Sequence, residues 1–348
     1  MSDFMISDQQ NTKQRIGGER FMTKIFYDKD ANVDLVQKKV IAIIGYGNQG
    51  RSQALNLRDS GIKNVIVGSR NDESWNTANK DGFPVFSIDE AAAKADILFL
   101  LIPDEVAPQI YEEKIAPHLK KGDVINFSSG YNITFKHIQP SDEVDVIMVA
   151  PRMIGRGVRE LYQSGEGFPT FVAVQQDSSG SAWDITLALA KAIGSTKKGA
   201  IQVTFNDETY LDLMAEQATW PLIYAVFTEV YKYQVEMGHP EEAVLMEMYL
   251  SKEPAVMMEK AADIGLFKQL PFHSHTSQFG QLTGFAKTDK SFIQKFIVSQ
   301  YEKITSGMFA TEWEKEQKSG LVKFEELRNA AFNNEMSKAE ERVKERLE

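Results

Sequence analysis

The chain contains no cysteine. That excludes a disulfide framework, a zinc–thiolate site and a cysteine nucleophile, and it fits a reducing, cytoplasmic compartment. No run of about 18 apolar residues occurs, so no helical segment is expected to cross a membrane. Basic charge is in deficit: 39 Lys and Arg stand against 49 Asp and Glu, a net charge of −10. Phosphate backbones need clustered Lys and Arg, so no nucleic-acid partner is expected. Residues 1–20 lack the apolar core of a signal peptide. They read as a disordered lead-in or as a residual expression or targeting segment. Internal repeats and low-complexity tracts are absent. What remains is ordinary globular usage, with 43% hydrophobic and 25% charged residues over 348 positions. That length exceeds one ordinary domain, so two are expected.

The most informative stretch is KVIAIIGYGNQG, residues 39–50. Residues 40–44 form a short β-branched apolar run closed by glycine, the pattern of a fully buried strand. Gly45, Gly47 and Gly50 follow as G-x-G-x-x-G, with Tyr46, Asn48 and Gln49 between them. Ala54, Leu55 and Leu57 then recur at helical spacing. Strand, glycine turn and helix form the context in which this motif binds a dinucleotide. The first glycine permits the tight turn, the second lets backbone N–H groups approach a pyrophosphate, and the third lets helix pack on strand. A glycine turn without a ligand is the plainer reading.

Further strands are expected at 64–68, 96–102, 123–127, 144–150, 170–175 and, as a last edge strand, 200–204, with helices at 51–59, 88–94, 106–118 and 181–193. Residues 69–76 read as a polar loop. Strands alternating with helices imply an α/β domain, a doubly wound parallel Rossmann sheet over residues 21–204. In such sheets the ligand lies at the carboxyl ends of the strands. The glycine turn, Pro103-Asp104-Glu105, Ser128-Ser129-Gly130 and Pro151-Arg152 all fall there, so they are expected to converge. Beyond residue 204 helical periodicity dominates, and residues 205–333 are expected to form an all-α domain. Asn206–Glu208 is a candidate cap for its first helix. Residues 334–348 read as a charged helix or fraying tail.

The loop after the second strand decides the cofactor, because an acidic residue there suits the ribose of NAD and an arginine suits the phosphate of NADP. Arg70 and Ser74 favour NADP, whereas Asp72 and Glu73 would repel a phosphate. The balance leans to NADP, with NAD open. Asp212 and Glu216 stand four apart on an expected helix, sharing one face at a small cost that a divalent cation would remove. Glu247 lies on a later helix. The plainer reading of all three is a solvated face. His118 and His137 read as surface residues. His273 and His275 line a site or are structural.

With these residues in view, the stretches around 24–61, LIPDEVAPQIYEEKIAPHLKKGD, VDVIMVAPRMIGRGVRELY and FNDETYLDLMAEQ resemble ketol-acid reductoisomerase of the short, class I type. The resemblance runs from residue 22 to about residue 280 and continues faintly to about residue 331. It implies a Rossmann domain followed by a knotted all-α domain, a homodimer with residues borrowed across the interface, NADPH, and two Mg²⁺, against one Mg²⁺ on Asp212, Glu216 and Glu247 in the reductase expectation below. It also implies alkyl migration in an acetohydroxy acid followed by reduction, a step of branched-chain amino-acid synthesis. By position, the family's metal ligands match Asp212 and Glu216, and its next glutamate matches Glu247. The following metal glutamate is Ser251 here, the F-A-H-G histidine is Ser129, the A-P-K lysine is Arg152, and the histidine after the glycine motif is Arg51. The family's substrate serine matches Ser274, with local register open.

Those departures weaken the rearrangement more than the reduction. Alkyl migration needs cations to polarise adjacent oxygens, and a hydroxyl at 251 is a weak Mg²⁺ ligand. Hydride transfer needs a positioned cofactor and a polarising group. Arg152 suits a substrate carboxylate. The expectation is therefore an NAD(P)H-dependent reductase of a 2-keto or imino acid. A true ketol-acid reductoisomerase and a non-catalytic cofactor-binding protein are the alternatives.

Overall fold

The computed structural model describes residues 23–347, so the lead-in 1–20 lies outside the described residues. The chain divides into two units, Met1–Thr209 and Tyr210–Glu348.

The first unit is built on nine strands: β1 (Ile25–Phe26), β2 (Ile41–Ile44), β3 (Val65–Gly68), β4 (Val85–Phe86), β5 (Ile97–Leu100), β6 (Val124–Phe127), β7 (Asp145–Pro151), β8 (Thr170–Gln176) and β9 (Ala200–Gln202). They lie in the order β1-β9-β8-β7-β6-β5-β2-β3-β4. Among the described residues seven α-helices accompany them: α1 (Asn48–Asp59), α2 (Glu73–Lys80), α3 (Ile88–Lys94), α4 (Ala107–Ile110), α5 (Tyr131–Thr134), α6 (Gly155–Ser164) and α7 (Ala182–Ala192). Every residue of β2, β3, β5 and β6 is buried, as expected for strands covered on both faces. Alternation assigns the two faces. Ile41, Ile43, Ile97 and Phe99 join Ala54, Leu57, Val158 and Leu189 on one side. Ala42, Ile44, Leu98 and Leu100 join Ala91, Tyr111 and Ile115 on the other.

Four details differ from the sequence reading. The helix expected at 106–118 is α-helical only over Ala107–Ile110 and continues as a π-turn, Tyr111–Ile115, and a 3₁₀ turn, Ala116–His118. The sheet is parallel from β4 through to β7, but β8 runs antiparallel to β7 and β1 antiparallel to β9. The strand at 200–204 is not an edge, because β1 covers it. The polar loop at 69–76 becomes helix α2 from Glu73 onward, because the Asp72 side chain accepts from the Ser74 N–H at 3.0 Å and caps it.

Helix α8 (Phe205–Met214) spans the division between the units. In the second unit there follow α9 (Trp220–Glu236), α10 (Glu241–Leu245), α11 (Glu253–Ile264), α12 (His275–Lys287), α13 (Ser291–Thr305), α14 (Met308–Lys318), α15 (Val322–Phe332) and α16 (Glu335–Leu347). Two π-helical turns interrupt this run, Ala215–Thr219 between α8 and α9 and Met246–Leu250 after α10. Of the charged helix or fraying tail expected at 334–348, the structure has the helix: α16, whose Ala339 and Val343 pack on Tyr231, Val244 and Leu245.

Candidate functional site

In the first unit the glycine turn is built as its spacing requires. Gly45 has φ +95°, and a Cβ on Gly50 would sit 2.0 Å from the Gly45 carbonyl oxygen. Gly47 is the N-cap of α1, offers no side-chain hydrogen bond, and has open space where a Cβ would point. The first turn of α1 therefore presents uncapped N–H groups to an anion. Tyr46 is buried, and its hydroxyl donates to the Asp81 carboxylate at 2.9 Å. Arg51 clamps the same carboxylate through Nε at 2.7 Å and Nη2 at 3.1 Å. Those Arg51 bonds, ahead of the Tyr46 bond, hold the Asp81 carboxyl below its usual range, while burial and the hydrogen bond to Asp81 push the Tyr46 hydroxyl up.

Side-chain amides tie this turn to the ends of the neighbouring strands. Gln49 Nε2 donates to the Met153 carbonyl at 2.8 Å. Gln53 Nε2 donates to Ser128 Oγ at 3.3 Å, and Ser128 Oγ donates to the Val149 carbonyl at 3.0 Å. The Asn48 carbonyl abuts Gly155, where a Cβ would lie at 2.3 Å. Asn132 Nδ2 donates to the Asp104 carboxylate at 3.1 Å, and the Pro103 carbonyl accepts from Val106 and Ala107. The glycine turn, the Ser128–Gly130 stretch and the loop carrying Arg152 are thus brought together, with Asp104 tied to the helix that follows Gly130.

The Arg152 guanidinium is engaged within the first unit. Its Nη2 donates to Glu208 Oε1 at 2.9 Å, and its Cζ lies 4.9 Å from the Phe171 ring centre. Glu208, only 1% exposed, accepts the Gly130 N–H on Oε2 at 2.7 Å. Sequence reasoning missed this role for Glu208 and treated residues 206–208 as one cap. Capping falls to Thr204, whose Oγ1 accepts the Asp207 N–H at 3.0 Å while the Asp207 carboxylate accepts the Thr204 N–H at 3.1 Å; an acid beside an acid gives no signal separating Asp207 from Glu208. Ser129 Oγ accepts from the Tyr131 N–H at 3.3 Å. On the cofactor loop Arg70 is 81% exposed on its side chain and lies 3.6 Å from the Asp72 carboxylate. Ser74 contributes its backbone N–H to that carboxylate.

In the second unit Asp212 lies on α8, while Glu216 and Glu247 each lie in one of the two π-turns. Single π-turns inside α-helices recur at functional sites. Burial, and then the Asp212 charge, push the Glu216 carboxyl above its usual range. Ser251 closes the second π-turn, and its Oγ accepts from the Glu253 N–H at 3.3 Å. Ser274 is the N-cap of α12, accepting from the Ser277 N–H at 3.2 Å. His273 Nε2 pairs with Gln269 Oε1 at 3.0 Å. Among the described residues, no three His, Asp or Glu side chains gather as a metal-holding set.

Two family models cover nearly all of this chain. Residues 35–199 match the NADPH-binding domain of acetohydroxy acid isomeroreductase, and residues 205–348 match the ketol-acid reductoisomerase C-terminal domain. The chain belongs to the ketol-acid reductoisomerase family. A putative ketol-acid reductoisomerase 3 from Saccharolobus solfataricus is 43% identical over 90% of this chain and 95% of its own length. A ketol-acid reductoisomerase (NADP(+)) from Methanocaldococcus jannaschii is 44% identical over 88% of this chain and 93% of its own. Among solved structures, an NADH-preferring ketol-acid reductoisomerase from an uncultured archaeon superposes with a TM-score of 0.87 at 35% identity, covering 92% of this chain and 98% of its own. The first unit thus carries the NADPH-binding domain of the ketol-acid reductoisomerase family, and the chain is an oxidoreductase acting on a small molecule.

Two carboxylates of the second unit, Asp212 and Glu216, would suit a hard cation. Mg²⁺ keeps several waters and takes one or two carboxylates, and Asp212 with Glu216 offers two, one of them made proton-avid by burial and by its neighbour.

Proposed function

We propose that this ketol-acid reductoisomerase relative is an NAD(P)H-dependent reductase of a 2-keto acid or related imino acid, with its alkyl-migration chemistry weakened. The observation that carries the reading is Ser251, a hydroxyl engaged by the Glu253 N–H at 3.3 Å where the family pattern has a metal-binding carboxylate. A hydroxyl brings no negative charge to a second cation. Ser129, in place of the pattern's histidine, has no group that titrates near neutrality.

In this reading the pyrophosphate rests on the uncapped start of α1, between Gly45, Gly47 and Gly50. Arg70 and Ser74 address the ribose phosphate, and Asp72 beside Arg70 leaves NADH acceptable. Arg152, held by Glu208 and against the Phe171 ring, meets the substrate carboxylate. Asp212 and Glu216 hold Mg²⁺, with Glu247 as a further carboxylate and Ser251 and Ser274 toward the substrate. A Mg²⁺ held by these residues would supply Lewis-acid polarisation of the substrate oxygen. Bound NAD(P)H would supply hydride to the carbonyl or imine carbon, with a proton from water going to the oxygen or nitrogen, so that a 2-hydroxy or 2-amino acid and NAD(P)+ would result. Two copies of the chain form the working enzyme.

The second reading, a true ketol-acid reductoisomerase, is favoured by the Asp212–Glu216 pair and by relatives of that name at about 40% identity across most of the chain. The deciding assay compares 2-acetolactate with a panel of 2-keto and imino acids, each with NADPH and Mg²⁺. The proposal expects reduction of panel substrates to outrun acetolactate turnover. Brisk conversion of acetolactate to the dihydroxy acid overturns it in favour of the second reading.

A further inference from the structure

We propose that the carboxyl-terminal helix α16 positions Glu247, acting through a bond between Glu340 and Tyr249. This rests on the reading above that Glu247 serves the cation site. Glu247 sits in the π-turn Met246–Leu250 and is exposed. That turn is closed by a long bond, Ser251 N–H to the Met246 carbonyl at 3.4 Å. A π-turn is a rare local geometry, so its conformation depends on what packs against it. Tyr249, two residues on, turns inward: its ring stacks on Phe227 at 5.5 Å and 14°, and its hydroxyl donates to Glu340.

The same helix grips the segment just before the turn. Arg342 clamps Glu241 through two bonds of 3.0 and 2.7 Å, and Arg346 donates to Glu242. Exposed ion pairs of this kind add little stability. Their geometry instead fixes the register of α16 against α10, and register is what delivers the Glu340 carboxylate to the Tyr249 hydroxyl. Glu340 thus stands to Glu247 as an outer partner that orients a ligand without touching it.

The test uses the full-length chain and four variants: Tyr249→Phe, Glu340→Gln, the two combined, and Glu247→Gln. Calorimetry with MgCl₂ alone reads cation affinity, NADPH titration reads the first unit, and amide exchange reads the turn. Tyr249→Phe and Glu340→Gln are each expected to weaken Mg²⁺ binding about tenfold. The double variant should be no worse than either single, because both remove one bond. NADPH affinity should hold, and exchange should quicken at residues 246–251 ahead of the rest of the second unit. If Glu247→Gln weakens Mg²⁺ binding while Tyr249→Phe and Glu340→Gln do not, the positioning role is wrong and the cation reading stands. If Glu247→Gln itself leaves Mg²⁺ binding unchanged, the cation reading fails and takes the proposal with it. Should Glu340→Gln unfold the unit, Tyr249→Phe alone decides.

Discussion

Gly47 and Gly50 occupy one turn for different reasons, and substitution separates them. A Cβ on Gly50 meets a backbone oxygen at 2.0 Å, an atom that cannot move aside. Gly50→Ala is expected to cost about 1–3 kcal/mol in urea unfolding. A Cβ on Gly47 meets nothing within 4 Å. Gly47→Ala should therefore leave Tm close to that of the parent, yet it fills the space the pyrophosphate needs. It is expected to lower kcat/KM for NADPH on the order of 100-fold. Equal stability loss in both variants would show that the open space at Gly47 is not a ligand site. Glu208 makes a second contrast. It bridges the Gly130 N–H and the Arg152 guanidinium while 1% exposed. Glu208→Ala strands both partners and should destabilise the chain by about 3–5 kcal/mol by denaturant melting. Glu208→Gln keeps the shape and should lose less.

At the scale of elements, the parts that were legible in the sequence are those whose cause is local. The β2–turn–α1 unit reads directly because apolar run, glycine spacing and helical period sit within about 20 consecutive residues. Helix α2 does not, since ESWNTANK has no broad apolar stripe and only Ala78 is buried; its signal is the Asp72 cap alone. The direction of β8 is illegible because period-2 alternation is the same for parallel and antiparallel strands. Glu208 finds Gly130 across 78 positions, a distance no spacing rule covers. The two π-turns of the second unit are hidden because one extra residue in a helical turn hardly disturbs the apolar pattern, yet they carry Glu216 and Glu247. Glu216 holds its proton above the ordinary glutamate range, through burial first and Asp212 second. Its favourable contribution is complete below the unfolded value and is lost as pH rises through the folded one. Glu216→Gln removes that loss. In the absence of Mg²⁺ the variant's Tm advantage should grow from about pH 4 to about pH 8, and added Mg²⁺ should reverse it by stabilising the parent alone. A Tm difference that does not vary with pH would mean Glu216 is an ordinary solvated carboxylate.

For the whole molecule the distribution of apolar surface is uneven. In the first unit the large side chains lie in two continuous clusters on either side of the sheet. The second unit has one small buried cluster, and it leaves Trp220, Phe272, Phe279, Phe292 and Phe332 between 51% and 72% exposed. Tyr224, Met258, Leu266, Val322 and Leu327 are exposed to a similar degree. Exposed apolar area on this scale marks an association surface, and a second copy of the chain is the occupant proposed for it. If the folded state is a dimer, its stability includes the protomer concentration, and Tm must rise as the protein is concentrated. Light scattering on the full chain is expected to report twice 39.2 kDa. Replacing Phe279 and Phe292 together by glutamate should lower the apparent mass and expose the second unit to unfolding, while NADPH binding by the first unit persists. A chain that stays at 39.2 kDa at millimolar concentration, with Tm independent of concentration, would leave that surface without the second copy assigned to it here.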